Sequence, residues 1–154
     1  MRGRLQVISL VFVFLALIVS CGDRPNDPRT LYRPKFVLEK TSIPFLDEFN
    51  LRKVQLVEID NPFPEATRKR IYSLWFSLDG RGRFALHAET GDHLGETIHM
   101  FINGQSIGYH PIQTPIDIGV LPILLSPHMQ EADARFLQQQ LERTIAKVQN
   151  KRKF

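Results

Sequence analysis

Residues 96–111 read ETIHMFINGQSIGYHP, two alternating runs on either side of Asn103-Gly104. No other stretch limits the fold as tightly, because both central residues of a two-residue hairpin turn need positive φ, and Asn-Gly reaches that region at least cost. A tight turn also sets the register. With Asn103 and Gly104 at the tip, Ile102 is expected to face Gln105, Met100 to face Ile107 and Ile98 to face Tyr109, giving one apolar side. Thr97 then faces His110 and His99 faces Gly108, so His99 and His110 share the other side as diagonal neighbours about 5 to 7 Å apart.

Further elements flank this ribbon. Residues 52–59 (RKVQLVEI) predict a strand whose alternation breaks between Leu56 and Val57, and Asn61-Pro62-Phe63-Pro64 stops it. Residues 71–78 (IYSLWFSL) predict a strand apolar enough to be central. A short, weakly amphipathic helix is expected over residues 83–89, closed by Gly91 or Gly95. After a turn at 116–119, residues 120–125 predict a last strand, placed at an edge because Pro122 cannot donate to a ladder. Ser126 and Pro127 predict the cap and first position of a long helix, with Glu131 and Asp133 near its start and Arg143 and Lys147 towards its end. Met129, Ala132, Phe136, Leu137, Leu141, Ile145 and Val148 form one stripe, a packing surface for the sheet. The expected class is therefore α+β: a small, mostly antiparallel sheet with an Asn-Gly hairpin, one short helix and a long C-terminal helix.

The first twenty residues have a different character. Arg2 and Arg4 precede an apolar run over residues 7–19, which as a helix spans only about 20 Å against a hydrocarbon core of about 30 Å. A positive start, a short apolar run and a small residue before the break predict an export signal that is removed. Ile18-Val19-Ser20-Cys21, at the end of that run, resembles the lipobox of bacterial lipoproteins. The resemblance implies that Cys21 is lipidated, palmitate being among the chains expected, and becomes the N-terminus of the mature protein. Cys21 is the one cysteine, so its acylation excludes disulfides and cysteine catalysis. Gly22 stands where an Asp would argue for inner-membrane retention, which favours the outer membrane, with Asp23 pulling the other way. The expected organisation is a signal peptide over 1–20, a lipidated N-terminus and flexible tether over 21–35 with Pro25, Pro28 and Pro34, and one domain over 36–150. Losing residues 1–20 removes Arg2 and Arg4 and no acid, so the formal charge falls from +4 to +2. Little then argues for a nucleic-acid partner.

From Phe76 to about residue 141 the elements come in a particular order. A strand is followed by a short helix with Phe84, Gly95 before a strand, the Asn-Gly hairpin, Pro111, a turn at Gly119, a strand, and a helix entered by "QEADARFLQQQL". This order resembles the head subdomain of the first periplasmic domain of SecD and SecDF, the protein-export membrane proteins. The family's glycine-rich turn is reduced here to Ile118-Gly119-Val120, and its glycine-rich helix entry is replaced by Leu124-Leu125-Ser126-Pro127. The resemblance implies a small α+β fold and contact with extended polypeptide. It does not imply energy transduction, because the family's intramembrane acidic helices have no counterpart in the expected mature chain.

The one G-x-S-x-G string, Gly104 to Gly108, lies in the hairpin and not at the strand-to-helix turn a nucleophile elbow needs; no Walker A or G-x-G-x-x-G pattern occurs, and Gly80-Arg81-Gly82 reads as a turn. His99 and His110 could join a metal site, but a third ligand from His87, His93, Asp92 or Glu96 has no fixed position. Two solvated histidines on a wet face are the plainer reading, and Lys151-Arg152-Lys153 reads as a solvated end that could touch anionic lipid. No catalytic residue, metal or cofactor is expected. The leading expectation is a non-enzymatic, periplasm-facing envelope lipoprotein that binds extended polypeptide or an envelope partner, in export or envelope assembly. Its contact surface is a sheet edge or the hairpin face with His99, Phe101 and His110. Two alternatives stand beside it: a small envelope hydrolase, metal-assisted through His99 and His110, and a structural lipoprotein of an envelope complex.

Overall fold

The computed structural model describes residues 31–62 and 69–152. The expected signal peptide, Cys21 and most of the expected tether lie outside these residues, as do Phe63, Pro64 and Lys153. Along the described chain run β1 (Pro34–Leu38), β2 (Leu46–Asp47), β3 (Leu51–Asp60), β4 (Arg70–Leu78), α1 (Gly80–Asp92), β5 (Thr97–Ile102), β6 (Gln105–Pro111), β7 (Val120–Leu125) and α2 (Glu131–Lys151). Among the described residues seven strands form one sheet in the order β2-β1-β5-β6-β7-β4-β3, and every neighbouring pair is antiparallel. The α+β class read from the sequence is the class observed.

One face of this sheet carries the core. Alternation aims Ile98, Met100 and Ile102 of β5 and Leu121, Ile123 and Leu125 of β7 to the same side, each 3% exposed or less. Phe36 of β1 and Phe76 of β4 meet there edge to face, with ring centroids 5.2 Å apart. Leu86 of α1 and Leu137, Leu141 and Ile145 of α2 belong to the same cluster, so both helices cover this face.

Helix α1 starts earlier than the expected residue 83 because Asp79 caps it. The Asp79 carboxylate accepts the Gly82 N–H at 2.8 Å and a guanidinium N–H of Arg152 at 3.1 Å. Burial pushes this carboxyl up, but the Gly82 and Arg152 hydrogen bonds, with the Arg152 charge, outweigh it and hold the group below the usual carboxylate range. At Gly82 a Cβ would stand 2.9 Å from Asn50 Cβ, so the glycine admits the 3-10 turn Glu48–Asn50 against the helix. Gly95, at φ +85°, then turns the chain into β5.

Three expectations are corrected. Strand β7 is not an edge, since it lies between β6 and β4. Pro122 is tolerated because β6 pairs with β7 only at Gly108↔Leu125 and Tyr109↔Leu124, so that ladder has ended before Pro122. Helix α2 starts at Glu131 rather than at Ser126; the Ser126 hydroxyl accepts the His128 N–H and its carbonyl accepts the Met129 N–H, which closes a separate turn. The buried arc of α2 includes Ala134 and Thr144, while Ala132 is exposed and Phe136, 42% exposed, packs edge-on to Tyr32 at the flank. Strands β1 and β2, which no sequence pattern had announced, complete the β5 side of the sheet, and β1 begins at Pro34, inside the stretch read as tether.

Candidate functional site

The hairpin turn forms as its residues dictate, with Asn103 at φ 52° and Gly104 at φ 79°. Its register departs from the alternation beyond Phe101. A β-bulge leaves Ile107 without a facing partner and sets Gly108 against Met100, after which Tyr109 faces His99 and His110 faces Ile98. Facing residues share a side of the sheet, so His99 and His110 lie on opposite faces and the expected diagonal pair does not exist. The cause is packing with β7: Gly108 faces Leu125, and a Cβ at Gly108 would collide with the Leu124 carbonyl and the Ile123 side chain. Only a glycine fits this row, and the bulge supplies it there.

His110 is consequently a core-side residue. Its half-buried ring hydrogen-bonds to the Pro122 main chain, which offers only a carbonyl, so the ring donates. Burial pushes its pKa down, and that hydrogen bond only partly offsets the shift. Among the described residues no three His, Cys, Asp or Glu side chains gather as metal ligands would. The two-histidine arrangement on which a metal-assisted hydrolase depended is thus taken apart by the register.

His99 and Phe101 remain together on the face turned away from the helices, with ring centroids 6.4 Å apart. Val37 of β1 faces His99 and Lys35 faces Phe101. These side chains belong to a cleft of about 650 Å³. The turn between β1 and β2, including Glu39, Thr41, Ser42 and Pro44, forms one wall, and Asn103 and Gly104 contribute at the hairpin tip. The wall is held by Phe45 N–H to the Phe36 carbonyl at 3.0 Å and by Thr41 N–H to the Leu38 carbonyl at 3.0 Å. Lys40 adds an ion pair to Glu96 at 2.9 Å, and hydrogen bonding and then charge from Glu96 raise the Lys40 ammonium above its usual range. Arg33 and Lys35 also line the cleft; Arg33 reaches Glu48 at 3.7 Å, while Lys35 has no ionic partner among the described residues.

The same face continues across the sheet. Tyr109, where burial raises the phenol pKa, faces Leu124, and Trp75, 39% exposed, faces Pro122. No described helix covers this side, whereas the opposite side is closed by two. An apolar and aromatic floor with cations at one border suits extended polypeptide with apolar and acidic side chains. The sequence pointed to His99 and Phe101 but not to the cleft, because its wall and half its floor come from β1 and the β1–β2 turn. The signal available was the short apolar run Phe36-Val37-Leu38, which does not alternate and lies too close to Pro34 to stand out.

No family model matches the chain, and no curated protein sequence matches it. Among solved structures the fold is similar to that of the membrane component SecDF, which enhances protein export. That similarity has a TM-score of 0.55 and 10% identity, and covers 77% of this chain and 70% of the other. It extends beyond the stretch from which the resemblance was read, and at such identity it is a likeness of fold.

Proposed function

We propose that this protein is a non-catalytic, membrane-anchored envelope module that holds extended polypeptide against the helix-free face of its sheet in protein export or envelope assembly. The carrying observation is the cleft with Val37, His99 and Phe101 in its lining and Arg33 and Lys35 among its cations. The fold likeness to SecDF supports an export-related setting, although activity belongs to sites rather than to folds. In this reading residues 1–20 are removed, Cys21 is acylated in the periplasm-facing leaflet, and the outer membrane is the favoured address. A short tether then presents the domain to chains emerging in the envelope.

Two properties of the cleft suit the task. Its floor offers sequence-tolerant apolar contact, and half-buried aromatics lose little rotamer freedom when covered. The edges of the sheet are β2, of two residues, and β3, so any main-chain pairing with a client falls there rather than at β7.

The test is photocrosslinking in cells from residues 37, 99 and 101, against control positions on the exposed side of α2. Unfolded export clients should crosslink from the cleft positions and not from the controls. With purified protein, Phe101→Ala should weaken binding of an unfolded model polypeptide by about tenfold or more, as for loss of an aromatic anchor. Equal crosslinking from both sides, or binding unchanged by Phe101→Ala, would remove the proposal.

A further inference from the structure

We infer that the C-terminal half of α2, with the point where the chain enters the domain, is a docking surface for anionic phospholipid headgroups. Arg143, Lys147 and Lys151 recur at four-residue intervals and are all exposed, so they form one ridge along the helix. None of the three has a carboxylate partner among the described residues. The helix dipole accounts for a cation in the last turn, but its effect is confined to that turn and does not reach back to Arg143.

The ridge borders a hollow of about 370 Å³ that Lys147 and Lys151 share with Leu31, Arg33 and Phe49. Phe49 is 47% exposed, and the Arg152 guanidinium lies 5.9 Å from its ring centroid. The hollow's carboxylate, Glu48, is buried and already engaged by Arg33 at 3.7 Å. An exposed aromatic ring beside Lys147 and Lys151, which have no carboxylate partner among the described residues, matches the boundary between headgroups and acyl chains.

The choice of a lipid surface over a soluble anion comes from where the hollow lies in the chain. Leu31, in its lining, is ten residues from Cys21, at most about 35 Å of extended chain. The inference rests on the acylation of Cys21 proposed above, since that anchor keeps the ridge within reach of the bilayer. A surface field that decays over about 8 Å then acts on whichever side of the domain is turned to it. The cations stand beside Leu31, where the chain enters the domain.

The test uses the mature chain, residues 21–154, carrying Cys21→Ser so that no acyl chain contributes; the core described above lies wholly within residues 31–152. Co-sedimentation with phosphatidylethanolamine–phosphatidylglycerol vesicles at low ionic strength should greatly exceed that with phosphatidylcholine vesicles. Each cation near an anionic surface contributes a factor of about five, so Arg143→Gln/Lys147→Gln/Lys151→Gln should weaken partitioning about 100-fold. Lys69→Gln/Arg70→Gln/Arg135→Gln removes equal charge away from the α2 C-terminus and should change it little. No preference for anionic vesicles, or equal loss in both triple variants, overturns the inference, and unaltered circular dichroism establishes that each variant is folded. Failure of the anchor is read separately: the wild-type protein would leave cell membranes in high salt as readily as the Cys21→Ser form, whatever the vesicles show.

Discussion

The two faces of the sheet are built from the same strands and have opposite fates. On one, Phe76, Leu121, Ile123 and Met100 are fully buried beneath two helices. On the other, Ile71 and Ser73 are buried, but Trp75, Pro122, Leu124 and His99 keep part of their surface exposed, although their strands are just as apolar. The break in alternation between Leu56 and Val57 has the same origin, since Leu56 faces Leu74 in the core and Val57 faces Ser73 on the helix-free side. The contrast teaches that an apolar strand need not mean a face already covered. The large buried cluster lies on the helix face, and the part of the other face around Trp75 and Phe101 holds apolar surface in reserve.

The largest test of that division is a pair of identical truncations. Phe76→Ala should cost about 3 to 5 kcal/mol of unfolding free energy by denaturant titration, as for an aromatic removed from a closed core. Phe101→Ala should cost about 1 kcal/mol or less by the same measurement while carrying the binding loss predicted above. If Phe101→Ala proves as destabilising as Phe76→Ala, the helix-free face is a second core and not a binding surface.

A smaller effect isolates the bulge that assigns residues to the two faces. Gly108→Ala places a methyl against the Leu124 carbonyl, which cannot move without shifting β7. A loss of about 1 to 3 kcal/mol in thermal or chemical unfolding is expected. Had the plain alternating register been correct, the Gly108 side chain would point to the helix-free side and the same change would be nearly neutral.

The smallest effect is a pH dependence. With its pKa lowered on folding, His110 takes up protons less readily in the native than in the unfolded state, so its contribution is fully present above about pH 6.5 and declines as pH falls through the depressed native value. His110→Gln should flatten that part of the stability profile. An unchanged profile in the variant would mean that His110 is as solvated as a residue on the other face.

Much of the fold is legible in the sequence. The β3, β4, β5, β6 and β7 strands, the hairpin turn at Asn103-Gly104 and the two helices all lie close to where periodicity and turn chemistry put them, because each is set by residues adjacent in the chain. Illegible were β1 and β2, whose short strands gain their stability from the β5 neighbour, and the α2 start, where Ser126 and Pro127 serve a turn equally well. The candidate site was half legible. His99 and Phe101 were identified from alternation, but His110 was assigned to their face by a register that the contact between Gly108 and β7 overrules.

The sequence by itself determined the class, the hairpin and the helices, since these depend on φ preferences and side-chain period within a few residues. The tertiary structure alone decided which face His110 occupies, which strands form the edges, and that a turn distant in sequence walls a cleft over Phe101. Those outcomes depend on contacts between strands far apart in the chain, where a single methyl group too many at Gly108 outweighs the local alternation.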